Sequence, residues 1–524
     1  MFTRSELSSM PAVLRLKVEE VAGKATLAES LSDRLKTAEL RIKLLEEQLR
    51  LERIAKYGAA SEKLSDGQLE LLDAEPGVSP QEIILEAGQP ELEKQAVEKI
   101  RRPAVRGLGT LPPELPREEE IVPCSEADCV CSCCQGPRKL IGYEVTERLD
   151  RVPARYLVKV IKREKRACPA CEEGGVATAA LPPQIIPKGI ATDRVVVDVM
   201  LAKYELHQPL YRQQVQMSRE SGIELTRQTT CGWIMDCGFL LTAVTRAMLK
   251  GLVEGSYIQA DETPIGVKTE TVKKKNHRGY LWEYSRPGGA VVFDYRDGRG
   301  QEGPAEILQS FRGVLQTDGY KAYSKLEKNG MRLAACMAHA RRKFYDAAKV
   351  YPENKDLLEI LQLIQELYAI EAMAREKKLS PEQRLALRQA KSVPIMAELK
   401  KKIIALRANS LPKNLTGKAS NYALNHWAKL EVYLDQGEVE IDNNWCENAI
   451  RPIALGRKNW LHFGSKQAGP NIAAILSVIE TCHRLKISAR DYLLDVLPKL
   501  SNGLAIDAAA LTPMAWQAAR PSAN

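Results

Sequence analysis

Nowhere in the 524-residue chain do about 18 apolar residues run together, and the first thirty residues lack the apolar core of a signal peptide. These absences exclude a membrane bundle and a secretory leader, and the expectation is a cytoplasmic protein. Extreme charge is missing too. A formal net charge of +9 is mild for this length, so local clusters have to carry any reading as a nucleic-acid binder. With 44% hydrophobic and 27% charged residues, wholesale disorder is also excluded. The length exceeds one ordinary core and predicts roughly three or four domains.

Seven of the twelve cysteines lie between Cys124 and Cys171. In a reducing compartment such crowding favours metal over disulfides. Cys131 with Cys134 and Cys168 with Cys171 form two CxxC pairs. Each lets one turn direct two sulfurs at one ion, which predicts a tetrahedral structural Zn²⁺ site. Cys124, Cys129 and Cys133 are surplus, so Cys133 is an alternative ligand. Between the pairs, Tyr143 to Lys162 alternates apolar and polar residues as paired strands do.

Upstream, Ala28, Leu31, Leu35, Ala38, Ile42, Leu45 and Leu49 recur at heptad spacing. That pattern predicts a short coiled coil and self-association as a homo-oligomer, the alternative being an amphipathic helix packed on its own protein. Residues 73–123 are rich in Pro, Gly and Glu and read as a linker. Its Arg101, Arg102 and Arg106 are either part of a solvated tether or a basic arm on DNA. From Pro182 to Gly251 apolar residues recur at helical spacing. The turn at Gly222, with Thr226, Arg227 and Gln228 opening the next helix, reads as a candidate helix-turn-helix against a purely structural bundle.

The remaining chain is organised around carboxylates. Ser256 to Val267 reads as one buried strand with the Asp261 carboxylate placed at its end, Pro264 preventing a simple continuation of the ladder. Gly313 to Tyr320 repeats the design with Asp318 before a glycine turn. Ile441 to Pro452 places Glu447 inside a helix that Asp442 or Asn443 caps. Strands over Gly279–Ser285, Ala290–Tyr295 and Met331–Met337, with helices over Pro304–Phe311 and Ala338–Val350, complete an α/β pattern on a mixed sheet. A helical stretch, Leu357 to Leu406, interrupts it. An amphipathic part, Ile472 to Leu500, closes the fold, and the tail beyond Ser501 is expected to fray.

Three carboxylates in one cleft repel one another unless divalent cations relieve them. Two Mg²⁺ ions, for which Mn²⁺ can substitute, suit phosphoryl transfer when held about 3.5–4 Å apart. Arg451 follows Glu447 by one helical turn and either pairs with it or holds a phosphate. Arg457, Lys458 and Trp460 add a fork, a point charge and a stacking surface, as in a nucleic-acid groove. His339 is followed by Arg341, Arg342 and Lys343, a second basic cluster. Asp294, Asp435 and Asp442 are rival ligands.

The blocks ADETP around Asp261, LQTDGY around Asp318 and DNNWCENAIRPIALGRKNWLHFGS around Glu447 resemble the transposases of the insertion sequence 66 family. The likeness extends to the N-terminal zipper, the CxxC region with LDRVPARY, and RDYLLDVLPKL near the C-terminus. It implies a multidomain α+β protein with a ribonuclease H-like α/β catalytic core, a helical insertion, an N-terminal coiled coil, a small zinc-binding domain and a helical DNA-binding region. The corresponding boundaries are 1–72 for the coiled-coil segment, 73–123 for the linker, 124–180 for the zinc domain and 181–253 for the DNA-binding helices. The two parts of the core are 254–350 and 431–500, the insertion is 351–430 and the tail is 501–524. The resemblance implies an acidic triad of Asp261, Asp318 and Glu447, Mg²⁺-dependent cleavage at the element's ends, and attack of the freed 3′-hydroxyl on target DNA. It further implies binding to terminal inverted repeats and cooperation with small accessory proteins of the same element. Where many relatives have His before the first Ala-Asp, this chain has Gln259, which is given no role. Two other readings compete: a zinc-dependent DNA-binding regulator whose acidic cleft does not react, and a nuclease that cuts without joining.

Overall fold

The computed structural model describes residues 117–123, 125, 129, 133–145, 156–167, 176–268, 276–320, 322–323, 326–327, 330–503 and 507–520. The heptads, most of the linker, and Cys131, Cys168 and Cys171 lie outside them. The chain divides into two units, residues 91–162 and a larger one made of 1–90 with 163–524.

Among the described residues of 91–162 no helix or strand forms, and Cys133 and Cys134 sit exposed in a turn. The strands expected across Tyr143–Lys162 are therefore absent from the described part of that stretch. The reason is burial: Val145, Leu157, Val158 and Val160 are all strongly exposed, so their alternation has no core to face. The strand pair falls later, with β1 (Lys165–Ala167) antiparallel to β2 (Val176–Thr178), bracketing residues 168–175.

In the larger unit, α1 (Asp193–Tyr204), α2 (Leu210–Ser221) and α3 (Arg227–Val253) come first. Gly222 ends α2 at φ +64°, a left-handed conformation that costs glycine little, and the Thr226 hydroxyl caps α3 by accepting the Thr229 amide at 3.1 Å. At 27 residues α3 is long and apolar enough to cross a membrane by length and composition. Its apolar stripe, however, is spent on the core: Ile234, Cys237, Leu241, Val244, Met248 and Leu252 are buried at helical spacing.

The sheet follows, with β3 (Tyr257–Val267), β4 (His277–Ser285), β5 (Val291–Arg296), α4 (Glu302–Ile307), β6 (Val314–Thr317) and β7 (Arg332–Ala335). Its order is β5-β4-β3-β6-β7; β4 runs antiparallel to both β5 and β3, and β6 and β7 run parallel to β3. All five strands form within the strand-like runs of the sequence. One expectation fails: β3 continues through Pro264 to Val267, so Asp261 lies within the strand, paired with Glu283 of β4, and not at its end. Pro264 pairs with Tyr280 of β4, while β6 pairs with β3 only over Tyr257–Gln259, so the missing N–H faces no neighbour on that side.

Period-two alternation sorts the strands' side chains between two cores. Tyr257 and Val314 enter one, Ile258, Ala260 and Leu315 the other. The first core is completed by α5 (Met337–Val350), α6 (Lys355–Glu376), α8 (Val393–Ala408), α9 (Leu415–Asn425) and the short α10 (Trp427–Leu430) and α11 (Val432–Asp435), while α7 (Pro381–Leu387), between α6 and α8, buries no residue. The second is completed by α1 and α3 with α12 (Asn444–Trp460), α13 (Ala468–Arg484) and α14 (Ala489–Ser501). Helix α13 also manages the sheet's edge. Its Ser477 and Thr481 hydroxyls accept the Phe293 and Val291 amides of β5 at 2.8 and 3.0 Å.

The tail does not fray as expected. Its helix α15 (Pro513–Ala518) docks: Tyr492 donates to the Leu511 carbonyl at 2.6 Å, the Trp516 indole donates to Asp495 at 2.9 Å, and Leu511 is buried. An alanine-rich composition obscured these few anchors.

Candidate active site

Asp261 lies on β3 and Asp318 immediately after β6. The parallel register pairs Tyr257 with Val314 and Gln259 with Gln316. The ladder ends at that last pair, and Asp261 and Asp318 each follow it by two residues, Asp318 in the bend beyond β6. Glu447 comes from the first turn of α12, where the helix N-terminus favours a negative charge. Both other acids bear on Asp261: burial pushes its carboxyl up to about 8, the Glu262 amide opposes this, and the charges of Glu262, Asp318 and Glu447 add to it.

What holds these acids is a buried polar network that sequence reasoning missed. The Gln259 side-chain amide nitrogen lies 2.8 Å from the Tyr257 hydroxyl, 2.9 Å from the Gln316 oxygen and 2.8 Å from the Asp442 carbonyl. Gln316 donates to the Glu440 carbonyl at 2.8 Å, and the Asn443 side chain donates to the Ala260 carbonyl at 3.2 Å. Strands β3 and β6 are thus stitched to residues 440–443, which lead into α12. This also settles the helix cap. Asn443 occupies the cap position, but its side chain is committed to β3; the Asp442 carboxylate accepts the Asn444 amide at 3.1 Å.

The helical insertion grips the same segment. Arg388, fully buried, donates to both oxygens of Glu371 at 2.7 Å, and Arg384 bridges Glu371 and Glu440. Burial pushes the Glu371 carboxyl up, but Arg388 and Arg384 outweigh it and hold the group below its ordinary value.

Other acids surround the centre. Glu262, beside Asp261, is ion-paired with Arg299 and accepts from Tyr323, while the Arg299 guanidinium lies 3.8 Å from the Tyr320 ring centroid. Glu283 pairs with Asp261 in the β3–β4 register and is fully buried, with the Cys446 thiol donating to it; burial pushes it up to about 7. Of the rival ligands, Asp294 is engaged by Arg296 at 2.5 Å and Asp435 by Arg332 at 2.7 Å. Asp442 is buried and pushed up to about 7 by that burial.

The residues read as nucleic-acid contacts separate into two groups. Arg227, Gln228, Arg342, Arg451 and Lys458 are exposed, as is the capping Thr226. Arg341 is buried, Arg457 donates to Thr263 and the Pro264 carbonyl, and Trp460 stacks on Phe463 with ring centroids 5.8 Å apart. These last two tie α12 to β3 and its surroundings.

The family model for "Transposase IS66 family" matches residues 188–471, which takes in all three acids. The chain belongs to that family. A model for the "zinc-finger binding domain of transposase IS66" matches residues 128–172, and one described as "Transposase C of IS166 homeodomain" matches 44–119. Among curated relatives from Sinorhizobium fredii (strain NBRC 101917 / NGR234), the uncharacterized protein y4jD is 34% identical over 79% of this chain and 82% of its own. The uncharacterized protein y4qI is 32% identical over 94% and 93%. The chain is a transposase-type, nucleic-acid-processing enzyme with DNA as partner and a zinc-finger region.

Proposed function

We propose that this transposase works through a ribonuclease H-like core in which Asp261, Asp318 and Glu447 hold two Mg²⁺ ions, cleaving DNA at the element's ends and joining the freed 3′-hydroxyl to target DNA. The single observation that supports it most is that the Asp261 carboxyl feels the charges of both Asp318 and Glu447, with Asp261 and Asp318 each two residues beyond the last β3–β6 pair. The strand order β5-β4-β3-β6-β7, three antiparallel strands continued by two parallel ones, agrees with such a core. The donor set fits the ion: carboxylate oxygens suit Mg²⁺, and the mutual repulsion evident at Asp261 is what a divalent charge relieves. When bound, the two cations activate the attacking oxygen and stabilise the leaving one.

The chain's own residues do the positioning. Gln259 and Gln316 fix β3 against β6, and Asn443 fixes the start of α12. The exposed Arg451 and Lys458, on the same helix as Glu447, and Arg342 on α5 are offered to phosphates. Thr226, Arg227 and Gln228 at the start of α3 are assigned to terminal repeats, with self-association through the N-terminal heptads. The zinc-finger region would hold Zn²⁺ through Cys131, Cys134, Cys168 and Cys171.

The test is incubation with Mg²⁺ and a plasmid carrying both element ends, with any accessory proteins encoded by the element. Cut ends together with joined strands support a transposase of this mechanism. Cutting without joining points to a nuclease, and salt-sensitive end binding without cutting points to a regulator.

A further inference from the structure

Beside the carboxylate centre lies a cluster of different chemistry. Cys336 precedes α5, His339 is in its first turn, and Glu447 faces them from α12. One ligand atom from each, Sγ, a ring nitrogen and a carboxylate oxygen, lies within 4.8 Å of the other two. His339 Nδ1 and Glu447 Oε1 are 3.5 Å apart. Both atoms are shielded from solvent, and among the described residues neither has a hydrogen-bond partner. They form an ion pair only when His339 is protonated; with the imidazole neutral both buried atoms lack a partner, which costs free energy that a shared ligand between them relieves. Cys336 is fully buried, and the Asn443 amide, 3.2 Å from its Sγ, holds the sulfur in place.

We infer that Cys336, His339 and Glu447 form a second zinc site, separate from the zinc finger, which sequesters Glu447 and holds the enzyme inactive. Thiolate, imidazole and carboxylate are the ligands of a borderline-soft cation, whereas Mg²⁺ takes oxygen donors and disfavours sulfur. Zinc bonds of about 2.0–2.1 Å to nitrogen and oxygen put tetrahedral ligands about 3.3 Å apart, so the His339–Glu447 separation needs little change. Binding exchanges the thiol proton, released to solvent, for a zinc–sulfur bond, and neutral His339 and ionised Glu447 supply the other two bonds. Three protein ligands leave one position for water. Glu447 cannot serve this ion and the Mg²⁺ centre together, so zinc and Mg²⁺ compete. The inhibitory part rests on the function proposed above; the zinc site itself does not.

Zinc content of the purified full chain, measured by mass spectrometry of the metal, tests it, with absorption of the Co²⁺-substituted protein reporting thiolate ligation. The wild type is expected to hold two zinc ions per chain, and Cys336→Ser and His339→Asn one each. Cys134→Ser is expected to lose only the zinc-finger ion. His339 is partly exposed, so its variant carries the test should Cys336→Ser fail to fold. In the cleavage assay, half-inhibiting zinc should rise about tenfold or more in His339→Asn. Wild-type zinc content in His339→Asn overturns the site. Loss of one ion there, with zinc failing to suppress cleavage, overturns the inhibitory role. Absence of cleavage under every condition counts against the transposase chemistry and leaves the metal count to decide the site.

Discussion

Gln259 and Gln316 face each other across the parallel β3–β6 ladder, 2.9 Å apart at their side-chain amides, and Asp261 and Asp318 follow two residues beyond them. Replacing Gln316 with Leu leaves the Tyr257 hydroxyl, the Gln259 amide and the Glu440 carbonyl short of a partner. Each group so orphaned costs about 1–3 kcal/mol. Urea unfolding of Gln316→Leu should show a clear loss of stability, and a change within about 0.5 kcal/mol, typical of surface substitutions, would remove the network from its supporting role.

Arg388 and Arg332 both pair with acids, yet their environments differ. Arg388 is fully buried on Glu371, and Arg332 is half exposed on Asp435. Arg388→Met is expected to cost about 3 kcal/mol, the low end for a broken buried pair because Arg384 still faces Glu371. Arg332→Ala should cost under about 1 kcal/mol. Equal losses in denaturant titrations would contradict this division.

Helix α3 contains a matched pair of glycines. A Cβ at Gly238 would stand 2.6 Å from the Asn471 carbonyl oxygen of α13, whereas one at Gly232 meets nothing within 4 Å. Gly238→Ala should therefore destabilise by about 1–3 kcal/mol. Gly232→Ala should stabilise by up to about 1 kcal/mol through helix propensity. Opposite shifts in melting temperature are the expected result, and a shared sign would contradict the close helix contact.

His483 donates to Glu205 at 2.7 Å and lies 3.8 Å from Glu480. Hydrogen bonding to Glu205 first, then to Glu480, raises its pKa from the ordinary 6.5 to about 9. A folded-state pKa above the unfolded one means the pairing contributes fully below pH 6.5 and is lost as pH rises through about 9. The melting temperature of the wild type should fall over that window relative to His483→Gln. Parallel curves for the two proteins would show that the pair carries no such linkage.

Much of the architecture was legible because it is written in contiguous residues. The buried strand run of Tyr257 to Val267 and the acid-glycine turn after Val314–Thr317 need no knowledge of distant chain, so the strands emerge locally, whereas β3's passage through Pro264, which leaves Asp261 inside the strand, depends on where β6 stops pairing. The supports do not. Gln259 meets Asp442, Glu283 meets Cys446 and Arg384 meets Glu440 only after folding. Before that, each polar side chain reads as an ordinary surface residue. For the same reason Arg457 and Trp460 looked free to meet nucleic acid, whereas β3 and Phe463 engage them. The exposed alternation of Tyr143–Lys162 misled in the opposite way, since pattern without burial makes no strand.

The most direct measurement compares wild type with Asp318→Asn, which keeps the side chain's shape and removes its charge, in binding and cleavage of the same end-bearing DNA with Mg²⁺. The account predicts that the variant binds the ends with wild-type salt dependence and yields no cut product. Cleavage at the wild-type rate would contradict the assignment of Asp318 as a metal ligand, and with it the centre that the β3–β6 register supports.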